Sequence, residues 1–464
     1  MTAYLRKKIN ESAGARWAAM ILVSLTMMMG YFLTDVMSPL ESLVCKSAAE
    51  GGLGWSSAEY GFFSGAYGYF NVFLLMLFFG GIILDKMGFR FTGILACILM
   101  ITGGLIKWFA VSMPTNGAVI SFLGGDYHVQ VLMAALGFAI FGVGNEICGI
   151  TVSKVVVKWF TGHELALAMG IQVGMARVGT AIALSASFPI AQHFGGVSAS
   201  ILLAVLLVII GLLCYIVYCV MDVKYDKAVK ATAPINNSEE AFQMHDVLNI
   251  VRNRGFWYIT FLCLLFYSGL HPFIKFASQL MIFKYHVSSS WAGTLVSLLP
   301  LGTILFTPIF GSIYDTKGKG VTLMTIGCSI LTFVHLMFTL PVLGTPWFAV
   351  VLMFILCIAF SLVPAVMWPS IPKIIPMKQL GTANALIFYI QNIGLSMVPV
   401  LIGWTIEHFA KTQLPDGNIT YNYTIPMAIF MIFGLGSILF AMLLHVENKR
   451  KNYGLEEPNI KRTN

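Results

Sequence analysis

Twelve apolar windows, each long enough to cross a hydrocarbon core, follow one another along this chain with short polar breaks between them. They cover residues 17–37, 60–84, 91–113, 129–157, 165–191 and 197–220, then 256–280, 291–313, 321–342, 347–371, 380–409 and 423–445. About 20 apolar residues suffice for a helix to cross a core about 30 Å thick. Backbone in lipid must satisfy its own hydrogen bonds, so windows of this kind form helices. Composition points the same way: the 464 residues are 58% hydrophobic and 10% charged, whereas soluble domains carry about 25% charged residues. The expectation is an all-α membrane protein of twelve transmembrane helices.

The net charge of +8 reports orientation, not a nucleic-acid partner. Of the 28 Lys and Arg residues, 22 fall at one face of the proposed spans (Lys154, three residues from the end of its window, among them), three at the other and three deep inside apolar windows. Cytoplasmic loops carry such an excess, which places both termini and residues 222–254 in the cytoplasm. Seven of the eight cysteines lie in apolar segments and none forms a Cys-x-x-Cys pair, so neither a zinc site nor a disulfide framework is indicated. The first apolar run follows Arg6, Lys7, Lys8 and Arg16 and ends in no small-residue cleavage site, so it reads as a retained helix and not a signal peptide.

The one composition shift inside the chain is polar and charged, from Asp222 to Arg254. It divides the protein into residues 1–222, a linker over 223–254 and residues 255–464, with six helices on either side. The end of the linker sets Phe242, Val247, Ile250 and Val251 among Asp246, Arg252 and Arg254, which reads either as a short amphipathic surface helix or as a solvated connection. A repeat supports the six-plus-six division. Gly81, Asp85 and Gly88 recur 230 residues later as Gly311, Asp315 and Gly318, in GIILDKMGFR and GSIYDTKGKG.

These two loops resemble the G-x-x-x-D-[RK]-x-G-x-[RK] signature of the major facilitator superfamily. The resemblance implies two rocking six-helix bundles around a central site, with Asp85 near a helix N-terminus and Arg90 paired with it as a conformational latch. Phe89 stands in place of a usual basic residue and Gly320 ends the second copy without one, which predicts a weaker latch in the second half.

Inside the fourth and fifth windows stand two opposite charges, Glu146 and Arg177, separated by one polar break over residues 158–164. A hairpin turning near Thr161 puts each charge about 12 to 15 residues from the turn, or roughly 18 to 23 Å at about 1.5 Å per residue. Both then lie near the middle of the hydrocarbon core, where a charge marks a functional site by default. A carboxylate and a guanidinium at one depth suit a zwitterion, because guanidinium grips a carboxylate through two parallel hydrogen bonds. A fixed Glu-Arg bridge holding the two helices together fits the placement as well. Gly142, Gly144, Gly149, Gly170, Gly174 and Gly179 flank the charges, as packing positions or as space for a ligand.

The wording of this hairpin, with FGVGNE, KWFTGHEL and GIQVGMARVGTA in order, resembles the lysosomal dipeptide transporter branch of the superfamily and its bacterial relatives. YFLTD, HPFI, WPSIP, QLGTANA and IQNIGL extend the likeness over most of the membrane domain. The resemblance implies a carrier of short peptides in which Glu146 meets the amino end and Arg177 the carboxylate. Asn145 and Gly174 depart from the Gly and Ser of that pattern, a difference that bears on substrate choice.

Other polar residues in apolar windows complete the candidate set. Lys275 reads as a second carboxylate-binding charge or as a side chain snorkelling to the surface, and Lys107 as snorkelling. Asp35 reads as a gate, a proton site or an interfacial residue. Tyr31, Tyr67, Asn71, Tyr267, Trp368, Gln391 and Asn392 are candidates to line a central cavity. His193, His271 and His335 stand apart from one another and from carboxylate clusters, so no metal is expected. No cofactor or catalytic arrangement is indicated.

The function expected is alternating-access transport of dipeptides or similar small zwitterions, not enzymatic turnover. The alternatives are a proton-coupled carrier of small organic anions, with Arg177 and Lys275 holding the substrate, and a non-transporting receptor or partner subunit. A neighbouring Arg177 would favour the ionised form of Glu146, which argues for transport without an obligatory proton there. Lacking an acidic dileucine signal in its N-terminal tail, the chain is expected in a bacterial inner membrane, with the lysosomal membrane as the alternative. Asn418 and Asn422 begin N-x-Thr sequons in the last outer loop; they matter only in a secretory pathway.

Overall fold

The computed structural model describes residues 12–113, 118–122, 125–160, 163–229, 244–341, 344–376, 379–415 and 419–460. The first half contains α1 (Ala13–Asp35), α2 (Ser57–Gly65), α3 (Tyr69–Phe73), α4 (Met76–Ser112), strands β1 (Val119–Phe122) and β2 (Gly125–His128), α5 (Val129–Phe160), α6 (Leu165–Phe194) and α7 (Val197–Val229). After a short helix α8 (Met244–Val251), the second half contains α9 (Arg254–Ser268), α10 (His271–Tyr285), α11 (Ser289–Lys317), α12 (Gly320–Thr339), α13 (Pro346–Ile374), α14 (Leu380–Thr405), β3 (Lys411–Gln413), β4 (Ile419–Tyr421) and α15 (Thr424–Lys451).

Eleven helical stretches among the described residues are long and apolar enough to cross a membrane, yet the chain makes twelve crossings. The backbone of α4 leaves the helical region at Gly88, at φ 77 and ψ 173, a conformation that glycine adopts without steric cost. Gly80 packs against Ile147 and, beyond Gly88, the carbonyl of Ala96 packs against Gly144. Residues on either side of Gly88 therefore return to one level of α5. Residues 76–87 finish the crossing that α2 and α3 began, and residues 89–112 make the next.

Two crossings read as single windows are broken. The crossing over 60–84 passes through a 3-10 turn, Ala66–Gly68, and a left-handed residue, Leu75, at φ 54. The crossing over 256–280 stops at Gly269 and restarts at His271. Pro272 has no N–H to continue the ladder, and the carbonyl freed at Gly269 accepts a bond of 2.8 Å from Nε2 of the buried His335. The helical expectation needs one addition. Two loops at the face poor in Lys and Arg carry antiparallel pairs, β1 with β2 and β3 with β4.

The two halves meet tightly at that same face. An added Cβ on Gly61 of α2 would stand 2.4 Å from the carbonyl of Pro399 on α14, and one on Gly293 of α11 would stand 2.0 Å from the carbonyl of Leu184 on α6. Only glycine permits backbones so close. The amide of Ser57 also donates to Glu407 Oε2 at 2.9 Å across the seam. Toward the basic face, by contrast, nothing lies within 4 Å of the corresponding position on Gly81, Gly170, Gly311 or Gly381. The halves are thus in close contact at the face poor in basic residues.

Within the linker, Met244–Val251 is helical, with Ile250 buried and Leu248 exposed. Phe242 and Asn418 lie outside the described residues.

Candidate functional site

Glu146 and Arg177 do not bridge each other. Among the described residues no ion pair within 4 Å joins them, and each is held by a different neighbour. The hydroxyl of Tyr67 donates to Glu146 Oε1 at 2.8 Å and accepts from Asn145 Nδ2 at 2.9 Å. This short relay is fixed by Gly142, where an added Cβ would stand 2.0 Å from the carbonyl of Tyr67. Packing of that closeness sets the height of Tyr67 against α5, and with it the position of its hydroxyl.

Arg177 reaches toward the other half of the molecule. Its Cζ lies 4.8 Å from the ring centre of Phe360 on α13, a cation–π contact that gains strength where water is excluded. Phe360 stands edge-on to His271 at 5.5 Å, His271 stacks on Tyr267 at 5.3 Å, and Trp368 Nε1 donates to the Tyr267 hydroxyl at 3.3 Å. The break between α9 and α10 thus delivers Tyr267 and His271 to the guanidinium side of the site. Tyr31 on α1 lies close enough to feel the charges of both Glu146 and Arg177.

The flanking glycines divide into two kinds. Gly142, Gly144 and Gly179 pack against the backbone carbonyls of Tyr67, Ala96 and Met28. Gly149 and Gly170 face open space, and Gly174 meets only Ile304 at 3.9 Å. Gly149 follows Glu146 by three residues and Gly174 precedes Arg177 by three, so each charge has open space one helical turn toward the basic face. Among the described residues neither charge is in an ion pair, and a carboxylate and a guanidinium so placed have the chemistry to bind the two ends of a zwitterion.

The structure relocates several residues read from the sequence. Lys275 is paired: its Nζ donates to Asp35 Oδ1 at 2.6 Å and to the carbonyl of Thr34 at 3.1 Å, while Thr180 Oγ1 donates to Asp35 Oδ2 at 2.9 Å. Asp35 is in the first half and Lys275 in the second, so the pair spans the closed seam. Lys107 does not snorkel either. It is buried, donates to the carbonyl of Leu33 at 3.1 Å, and lies 4.6 Å from the ring centre of Phe138.

Gln391 and Asn392 are buried, the first accepting a weak bond from Cys263 Sγ at 3.6 Å and the second donating to the carbonyl of Phe388 at 2.9 Å. Asn71 is buried, with neither amide atom bonded to another described residue. Phe360 was missed because a phenylalanine in an apolar helix carries no signal of its own. His271 read as isolated because its partners come from other elements or from beyond a helix break.

The latch is also rearranged. Asp85 does not hold Arg90; it pairs with Lys154 of α5 at 2.7 Å. Arg90 pairs with Asp222 at 2.9 Å and with Asp226, both on α7, and Lys158 joins the same carboxylates at 2.7 and 2.8 Å. The turn at Gly88 separates Asp85 from Arg90, so each meets a different helix. In the second copy, Asp315 Oδ1 accepts from Asn459 Nδ2 at 2.7 Å, and the carbonyl of Glu456 accepts from the amide of Lys319, next to Gly318, at 2.9 Å. The C-terminal segment fills the place of the missing basic residue.

A match to the Major Facilitator Superfamily covers residues 20–399. The chain belongs to that superfamily. Among superfamily members of known sequence, it is 26% identical over 398 residues to the lysosomal dipeptide transporter MFSD1 of Bos taurus, covering 83% of this chain and 78% of that one. With the protein of the same name from Homo sapiens it shares 26% over 346 residues, or 72% and 69% of the two chains.

Solved superfamily structures share the fold at low identity. A bacterial homologue of the human lysosomal transporter Spinster, inward-facing and occupied, superposes with a TM-score of 0.68 at 14% identity over 94% of this chain and 98% of its own. The peptide transporter POT, as a variant bound to alafosfalin, gives 0.67 at 13%, covering 95% of each chain. The protein is therefore a multi-pass membrane transporter of the superfamily, with twelve helices in two bundles and no enzymatic role.

Proposed function

We propose that this chain carries dipeptides or similar small zwitterions by alternating access. Glu146, set by the Tyr67 hydroxyl, takes the substrate's ammonium, and Arg177 takes its carboxylate by two parallel hydrogen bonds. The observation that supports this reading is that, among the described residues, the two charges do not bridge, Glu146 being held by Tyr67 and Arg177 by the ring of Phe360. The name shared by the MFSD1 relatives supports the same substrate class. Tyr31, near enough to sense both charges, is assigned to the substrate's surroundings together with Tyr267, Trp368 and Asn71. Lys275 with Asp35 acts as a lock between the halves, which argues against the organic-anion alternative that needed Lys275 beside Arg177.

The remaining parts of the reading follow from this one. Residues 1–222 and 255–464 move as the two rocking units, joined by the 223–254 linker. Asp85 and Arg90, with Gly81 and Gly88, hold the basic face of the first unit through Lys154 and Asp222, while Asp315, Gly311 and Gly318 do so in the second through the C-terminal segment. The excess of Lys and Arg puts both termini in the cytoplasm. The relatives are named lysosomal, which favours a lysosomal membrane over the bacterial inner membrane.

The test is uptake into proteoliposomes, offering dipeptides, single amino acids and dicarboxylates with and without a pH gradient. Saturable dipeptide uptake that dicarboxylates do not compete is expected. Saturable dicarboxylate uptake with no dipeptide competition would overturn the reading.

A further inference from the structure

Between α1 and α2 the chain makes a helical turn, Glu41–Val44, whose first residue is a carboxylate with 0% exposure. Neither oxygen of Glu41 is hydrogen-bonded to any described residue. The groups close enough to sense its charge are Cys45 on its own segment, Tyr60 on α2, Tyr421 on β4 and Tyr423 just before α15. None of these is a cation. Of the cations of this region, Lys411 pairs with Glu407 at 2.6 Å, Lys275 pairs with Asp35 at 2.6 Å, and Lys46 on the same segment is exposed. Of the nearby hydroxyls, that of Tyr60 lies 3.2 Å from the carbonyls of both Met37 and Lys275, and that of Tyr423 donates to Gln279 Oε1.

An ionised carboxylate buried without a partner costs far more than the neutral acid, and in practice such a group neutralises. The burial of Glu41 also depends on conformation. The turn that holds it is in the first half, whereas α10 packed against that turn, β4 and Tyr423 are all in the second. Parting the halves at this face would withdraw those elements and give Glu41 water.

We propose that Glu41 is a proton-binding site that couples closure of this face to the pH of the compartment it faces. The carboxyl takes up one proton from that compartment as the halves close and returns it there as they part, so no proton need cross the membrane. The sign follows from linkage. The closed state holds a proton that the open state releases, so acid favours closure and rising pH favours opening, by up to about tenfold per pH unit above the ordinary carboxyl value of about 4.3. This inference rests on the alternation of two states and not on the identity of the substrate.

The test is hydrogen–deuterium exchange of residues 57–68, α2 and the 3-10 turn after it, in the full-length protein without substrate, comparing wild type with Glu41→Gln at each pH. The chemical exchange rate is common to both proteins, so their ratio reports opening alone. A ratio near one in acid that climbs as the pH rises supports the proposal. A ratio constant across pH overturns it. If the Gln variant cannot be recovered folded, Glu41→Met, neutral and of similar size, answers the same question. Failure of dipeptide uptake would leave this result untouched, because no substrate is present.

Discussion

The Nζ of Lys275 stands 2.6 Å from Oδ1 of Asp35, and this largely buried pair joins the first half of the molecule to the second. Thr180 completes the carboxylate's coordination at 2.9 Å. Removing one partner of a buried pair costs about 3–5 kcal/mol, because the other charge is left uncompensated. Asp35→Asn and Lys275→Met are each expected to open the face poor in basic residues and slow uptake, and the double variant to recover part of the loss. Outer-face accessibility and uptake in a double-mutant cycle provide the check. Additive losses would show that the two side chains do not act as a lock.

The two poles of the proposed site are separable by substrate chemistry. Loss of a charged hydrogen bond of about 1.5–3 kcal/mol corresponds to tenfold or more in affinity. Arg177→Lys keeps the charge but not the forked geometry, so half-saturation for dipeptides should rise at least about tenfold, and Arg177→Ala should abolish uptake. Glu146→Gln should abolish wild-type discrimination between a dipeptide and its N-acetylated form. If that discrimination survives in Glu146→Gln, the ammonium is bound elsewhere.

Gly142 and Gly149, about two turns apart on α5, make opposite predictions. A methyl on Gly142 would stand 2.0 Å from the Tyr67 carbonyl, whereas Gly149 has nothing within 4 Å. Overpacking of this kind costs about 1–3 kcal/mol. Gly142→Ala should lower thermal stability and displace Tyr67 from Glu146, with reduced uptake; Gly149→Ala should unfold at the wild-type temperature. Equal melting temperatures for wild type and both variants would contradict the packing assigned to Gly142.

The rearranged latch is tested by exchanging charges. Asp85 faces Lys154 and Arg90 faces Asp222. Reversing the first pair, Asp85→Lys with Lys154→Asp, should restore uptake lost in either single variant, while exchanging Asp85 with Arg90 should not. Recovery in the second exchange instead of the first would return the pairing to the one implied by the loop signature.

The length and order of the apolar windows determined by themselves that this chain crosses a membrane twelve times, because backbone in lipid has no solution other than helix or closed barrel. The repeated loops announced two halves, and the depth of Glu146 and Arg177 marked a site, because a charge in hydrocarbon has few structural excuses. What the sequence left open was pairing, which depends on which helices become neighbours. Whether Glu146 and Arg177 bridge, whether Asp85 meets Arg90, and where Lys275 goes are decided by helix rotation, by the turn at Gly88 and by the break before Pro272. Glu41 shows the limit most plainly: in sequence it is an acidic residue in an outer loop, and only the fold shows it buried, with an element of the second half packed against its turn.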